Sequence, residues 1–341
     1  MALARRTWLA AVAAVGASLL FTAGPAPRRV LVLGGTRFVG RHIVLALLAG
    51  GHQVTLFNRG RTAPGLFPAA EELHGDRDGE LDALRGRSWD VVIDTSGTRT
   101  EQVRRSAELL AATATRYVYV SSVAVYGAGV ASEYSEHAPL RAPPATGKRS
   151  YGQHKIGCEL EVLRCFDARA TILRPAALIG PHDPHDRFVR WPLRARGGGD
   201  MLVPGRPEDP VPLVDARDLA AWVVRIVEAG VTGTYNVAGP RDPMGALIDH
   251  CIARAGVPVT PVWVDAAWLR AQKLDFDSVP PIFESGYRRC SSALAIAEGL
   301  RFRPLAASLD DTLAWWDHER PRQIKHRDRE QALLAEWRAH R

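Results

Sequence analysis

Tyr151 and Lys155 stand four residues apart in "YGQHK", a spacing that puts both side chains on one face of a helix. A phenol with a pKa of about 10 is a poor acid or base at neutral pH. A nearby ammonium and an oxidised nicotinamide both favour the phenolate and bring it into a useful range. Ser122, in "YVYVSSVAVYG", falls at the carboxyl end of an apolar run and offers a hydroxyl that can donate to a substrate oxygen. The three groups together suit hydride transfer between a nicotinamide and a carbinol or carbonyl carbon. Lys155 can also hydrogen-bond the nicotinamide ribose.

A site of this kind needs a loop for the dinucleotide. "VLVLGGTRFVG", Val30 to Gly40, reads as a strand, a glycine turn and a helix start. Gly34 and Gly35 allow the tight turn, and Gly40 lets the helix pack close to the sheet. The helix start at Arg37, Phe38 and Val39 offers free amides to a pyrophosphate. Arg37 occupies the place of a middle glycine. The second strand ends in "LFNRG", with Asn58 and Arg59 where a carboxylate ordinarily meets a free ribose 2′-hydroxyl. A carboxylate repels a 2′-phosphate, whereas a guanidinium pairs with it. The expected cofactor is therefore NADP(H), with NAD(H) the second choice; solvated surface arginines are the plain alternative. Asp76 follows the third strand and either accepts from the adenine amino group or caps the next element.

The elements that must position these residues are legible as a period. "RVLVLGG", "HQVTLFN", "EELHGD", "WDVVIDTSG" and "RYVYVSS" are apolar strands, separated by helix-like stretches such as "RFVGRHIVLALLAGG" and "TEQVRRSAELLAATA". Nearly continuous apolar strands imply helices on both faces of a parallel sheet. The alternation predicts an α/β, Rossmann-type doubly wound fold with a smaller C-terminal substrate lobe. We divide the chain into a leader (1–28), a dinucleotide-binding domain (29–180), a lobe interleaved with late Rossmann elements (181–320) and a C-terminal amphipathic helix (321–341).

The apolar fraction of 46% and charged fraction of 24% are those of a globular protein rather than a disordered one. Of the net charge of +7, Arg5, Arg6, Arg28 and Arg29 supply more than half, so the body carries no nucleic-acid footprint. The four cysteines have neither zinc nor disulfide-framework spacing and read as reduced, apolar thiols. Arg5-Arg6, Trp8-Leu9 and the uncharged run to Gly24 resemble a twin-arginine export signal or an uncleaved anchor. That predicts a periplasmic or envelope address, with the cytoplasm as the alternative and membrane contact only through the leader. "GPHDPHD" gathers His182, Asp183, His185 and Asp186, which read as turn or substrate-loop chemistry rather than a metal site. Phe188, Arg190 and Trp191 form either a substrate wall or core. Trp315 and Trp316 read as packing residues, and His154 as pointing away from the pair that flanks it.

The glycine loop, "SSVAVYG", "YGQHKIGCE", "ILRPAALIGP", "DARDLA", "TYNVAG" and "GLRFRPLAASLDDTLAWW" together resemble the short-chain dehydrogenase/reductase superfamily. The match is to its extended, epimerase/dehydratase branch and covers roughly residues 29 to 318. The resemblance implies Ser122, Tyr151 and Lys155 as the catalytic trio. It also implies Asp94, Thr95 and Ser96 beside the adenosine ribose and pyrophosphate, and Arg174-Pro175 beside the nicotinamide. "GGTRFVG" and "FNRG" are similar to an atypical subgroup that includes chloroplast stem-loop-binding proteins. One departure matters: the arginine that often grips a substrate pyrophosphate in the branch corresponds to Val211. Arg206 or Arg217 would have to replace it, which puts a UDP-sugar in doubt. The implied activity is redox-neutral epimerisation or dehydration of a sugar-like small molecule. A plain NADP(H)-dependent carbonyl reductase and an RNA-binding protein on the same scaffold are the alternatives.

Overall fold

Val30 and Val32 point to one side of their strand, Leu31 and Leu33 to the other, and all four are fully buried. Such a strand must lie at the centre of a sheet covered twice. A computed structural model describes residues 26–127, 133–143, 147–274, 289–319 and 327–340. The leader therefore lies outside the described residues, among which no helix is long and apolar enough to cross a membrane.

In chain order the first half comprises β1 (Arg29–Leu33), α1 (Phe38–Ala49), β2 (Gln53–Asn58), β3 (Glu71–His74), β4 (Trp89–Asp94), α2 (Thr100–Leu110), β5 (Ala114–Val120), α3 (Tyr151–Phe166) and β6 (Ala170–Pro175). Then come β7 (Ala177–Ile179), α4 (Arg190–Arg196), β8 (Gly199–Pro204), β9 (Pro210–Val211), β10 (Leu213–Asp215), α5 (Ala216–Ala229) and β11 (Gly233–Val237). The chain continues through β12 (Asp242–Pro243), α6 (Met244–Ala253), β13 (Val259–Val264), α7 (Ala266–Ala271), α8 (Ala293–Ala297), α9 (Leu305–Glu319) and α10 (Arg327–His340).

Seven strands form one parallel sheet in the order β11-β6-β5-β4-β1-β2-β3. From β1 the chain winds outward to β3, then returns to β4 and winds the other way. The crevice where the direction reverses, at the carboxyl ends of β1 and β4, is where a doubly wound sheet receives its ligand. Helices α1 and α5 cover the Val30 face and α2 and α3 the Leu31 face. The α/β, Rossmann-type expectation is met.

Four short strands and the pair β8–β13 build the second lobe around Trp191, Phe188, Met201, Leu247 and Trp316. Phe188 and Trp191 are core, not a substrate wall. Trp316 is likewise buried, while Trp315 lays its ring against His182 at 5.0 Å between centroids. Late elements return to the sheet: β11 pairs with β6, and α5 packs on α1. The final helix starts at Arg327, anchored by Leu333 and Leu334 and by buried Glu330, which accepts from the Leu202 amide. All four cysteines are free thiols, three of them buried.

Candidate active site

The loop Gly34–Arg37, the end of β2, the Gly75–Asp78 turn and Thr95–Thr98 enclose a cleft of about 400 Å³ over the switch point. Both loop glycines have positive φ, at 104° and 91°. A Cβ on Gly34 would lie 2.8 Å from Thr95 Oγ1, and one on Gly40 would lie 3.0 Å from the Gly35 backbone. The glycines are thus required by conformation and by close approach, as a phosphate cradle requires. Of the sequence candidates, Gly34, Gly35, Arg37, Asn58, Arg59, Asp76, Thr95 and Ser96 line this cleft. Phe38 and Val39 do not. Phe38 turns its ring toward His42, and Val39 packs on the core.

Asn58 uses Oδ1 to accept from the Gly60 amide at 2.7 Å, while its Nδ2 is buried with no partner. A buried amide donor left open is costly unless something fills the cleft beside it. Arg61 and Thr62 extend the same wall, so three arginines, Arg37, Arg59 and Arg61, stand around the end of β2. Arg61 was missed in the sequence because it lies beyond the strand, in a loop whose path no spacing gives. Asp76 accepts from the Asp78 amide at 3.0 Å, so it shapes a turn rather than capping a helix.

Asp94 corrects a sequence expectation. It is wholly buried beneath the cleft rather than lining it. Arg77 grips it with two 2.7 Å bonds, Tyr117 donates at 2.9 Å, and the Ser96 and Gly97 amides donate at 3.1 and 2.8 Å. Burial alone would raise its pKa; the Arg77 charge together with the hydrogen bonds from Arg77 and Tyr117 outweighs that and holds the carboxyl below the ordinary range. Its work is to shape the Thr95–Thr98 loop.

The "YGQHK" segment opens α3 with a capping box. Ser150 Oγ accepts from the Gln153 amide, and Gln153 Oε1 accepts from the Ser150 amide at 2.8 Å. Tyr151 is the first helical residue, over the carboxyl end of β5, and 55% of its surface is exposed. Ser122 faces it. Its Oγ accepts from the Ala124 amide at 3.1 Å. The hydroxyl end of the tyrosine is desolvated, which pushes its pKa up; the neighbouring Ser122 hydroxyl and the Arg187 guanidinium pull the other way. The net effect of the protein's own groups is to raise the phenol.

Lys155 sits one turn below, 4% exposed, with Nζ 6.0 Å from the Tyr151 ring centre. Its three N–H groups go to Gly97 O at 2.9 Å, Tyr119 Oη at 3.0 Å and Val120 O at 2.8 Å. Every donor is engaged by protein, so the expected ribose bond forms only if one of these acceptors is exchanged. Burial lowers its pKa to about 8, against the opposing pull of Asp94. Through Gly97 the lysine is tied directly to the loop that lines the cleft.

Arg174 corrects another expectation. It is 6% exposed and forks onto Glu159 at 2.7 and 3.0 Å instead of facing the cleft. Val211 is buried in the second lobe's core. Both proposed replacements have acidic partners. Arg217 is held by Asp215 and Asp311, and exposed Arg206 by Glu208 and Asp209. In the 181–187 turn, Asp183 is buried and accepts from the His185 and Arg187 amides at 3.0 and 3.3 Å. That is turn chemistry, and among the described residues no cluster is gathered for a metal.

One glycine couples helix and loop. A Cβ at Gly152 would lie 1.9 Å from Ala124 O. Gly152→Ala is expected to force α3 away from the Ser122 loop and to cost about 3 kcal/mol or more. A drop in thermal midpoint together with loss of turnover checks it.

The family profile described as "NAD dependent epimerase/dehydratase family" matches residues 30–238. The chloroplast stem-loop binding protein of 41 kDa b of Arabidopsis thaliana is 26% identical over 265 residues, 70% of this chain and 66% of that protein. A dTDP-6-deoxy-L-talose 4-dehydrogenase (NAD(P)(+)) of Kitasatospora kifunensis is 33% identical over 181 residues, 47% of this chain and 55% of that one. The chain thus spans less than two thirds of either relative's length. Among solved structures, the Bordetella bronchiseptica enzyme WbmG in complex with NAD superposes with a TM-score of 0.64 at 17% identity, covering 86% of this chain and 95% of that one. MoeE5 in complex with UDP-glucose and NAD gives 0.62 at 20% identity, covering 85% and 98%. At these identities the likeness is one of fold.

Proposed function

The chain belongs to the NAD dependent epimerase/dehydratase family, and from that premise we propose that it is an NADP-linked enzyme working on a carbinol or carbonyl carbon of a sugar-like small molecule. The observation that carries this reading is Tyr151 beside Ser122 at the start of α3, with buried Lys155 one turn below and tied to the cofactor-cleft loop. When bound, the nicotinamide supplies a hydride acceptor and donor. Gly34, Gly35, Thr36 and Arg37, leading into α1, would hold the pyrophosphate. Asn58 would use its open Nδ2 on the ribose, and Arg37, Arg59 and Arg61 would take a 2′-phosphate.

Ser122 orients the substrate oxygen, and Tyr151 Oη takes or returns its proton. Lys155, held by three oxygens, acts on the phenol through its charge. A diphosphate-linked sugar is the less suitable substrate, because the place of its arginine is filled by a buried valine. Export through the twin-arginine route would suit a redox-neutral reaction, which draws on no outside supply of reduced dinucleotide. Reduced dinucleotide is not regenerated outside the cytoplasm.

The test is to purify the protein natively and screen hexoses, hexitols and dTDP- and UDP-hexoses. Retained NADP⁺ and product formed without net absorbance change at 340 nm support the reading. One NADPH released per product overturns the redox-neutral step. For the cofactor, Arg37→Ala/Arg59→Ala is expected to weaken NADP⁺ binding about 10- to 100-fold while leaving NAD⁺ nearly unchanged. Equal loss for both nucleotides contradicts a 2′-phosphate site.

A further inference from the structure

Glu159 lies two turns beyond Tyr151 and one beyond Lys155, on the same face of α3, yet no step above uses it. It is 2% exposed. Its carboxylate takes the Arg174 fork on one side and the Ser121 hydroxyl on the other. Ser121 immediately precedes Ser122 and is itself pinned by its amide to Leu173 O at 2.6 Å. Arg174 continues outward, donating to Tyr126 Oη at 2.7 Å and to Glu136 O at 3.2 Å. Tyr126 in turn donates to Asn236 Oδ1 at 2.7 Å on β11. A charged pair buried this deeply is a poor way to gain stability, because an apolar pair of the same shape serves as well or better. What it fixes is a register between three elements: the helix with Tyr151 and Lys155, the strand end with Ser122, and β6.

We propose that Glu159 and Arg174 are positioning residues of the reaction: their forked pair, through Ser121, holds Ser122 against Tyr151. This rests on the trio assigned above. The groups facing Lys155 are Asp94 from β4, Tyr119 from β5, Arg77 from the turn after β3, and Cys158, Glu159 and Tyr151 from its own helix. Asp94 is matched by Arg77 and Glu159 by Arg174, and both carboxylates favour the protonated lysine.

The chain has four lysines, Lys148, Lys155, Lys273 and Lys325, so ε-¹³C-lysine NMR of the whole protein can follow Lys155 directly. Glu159→Gln is expected to move the Lys155 titration to lower pH. It should also cut kcat about 10- to 100-fold while KM and the NADP⁺ Kd stay within about threefold. Glu159→Asp keeps the charge but not the reach, and should restore the titration without restoring kcat. If Glu159→Gln does not fold, Glu159→Gln/Arg174→Met removes both charges and carries the same kinetic expectation.

A folded variant with wild-type titration and wild-type kcat overturns the proposal. Tyr151→Phe serves as the control. If it retains turnover, the trio itself fails. If it is inactive while the Glu159 variants are unaffected, only the positioning role fails.

Discussion

Tyr151→Phe is expected to lower kcat about 10²- to 10⁴-fold, the range for removal of a positioned acid-base group, with NADP⁺ affinity and thermal midpoint close to wild type. The residue suits such a clean substitution. More than half of its surface is exposed, and the helix start is capped by Ser150 and Gln153 instead. The substituted ring keeps its packing and loses one oxygen. Steady-state kinetics on the best substrate of the sugar panel, alongside calorimetric titration of NADP⁺, read both halves. Unchanged kcat would remove the phenol from the chemistry.

The second large effect is on stability. Asp94→Ala is expected to cost about 3–5 kcal/mol, the usual result of stripping one partner from a buried ion pair. Arg77 would be left as a buried charge with only Ser96 and Ser106 hydroxyls for company, and Tyr117 would lose its acceptor. Urea unfolding checks this through the transition midpoint. Arg77→Met/Asp94→Leu should recover much of the loss, since it removes both charges. The sign with pH follows from the depressed carboxyl. The pair's contribution is complete above the ordinary aspartate pKa of about 3.9. It is lost as pH falls through the lower value of the folded state.

These two residues show what the sequence could and could not disclose. Tyr151 was legible because its partner lies one helical turn away and its serine ends a recognisable strand. The sheet was legible for a similar reason: β1, β4 and β5 are short apolar runs broken by glycine or polar turns, and period alone separates them from α1 and α2. Asp94 and Arg174 were seen but misplaced. Their roles depend on Arg77 and Glu159, 17 and 15 residues away along the chain, in neighbouring elements that no local pattern joins.

The acceptors of Lys155 lie 35, 36 and 58 residues upstream, so its full coordination was invisible. The Tyr151, Lys155, Glu159 spacing of four and four was a signal available for the missing network. So was "SYGQ", which spells the capping box. The ion pairs of Arg206 and Arg217 with their acidic neighbours became visible only with the second lobe.

The account stands on a dinucleotide occupying the cleft between the glycine loop, Asn58 and Thr95–Ser96. Titration calorimetry of the wild-type protein, stripped of any retained nucleotide, with NADP⁺ and then NAD⁺ measures this directly. One equivalent of NADP⁺ bound more tightly than NAD⁺ is the predicted result. No heat of binding for either nucleotide would contradict it.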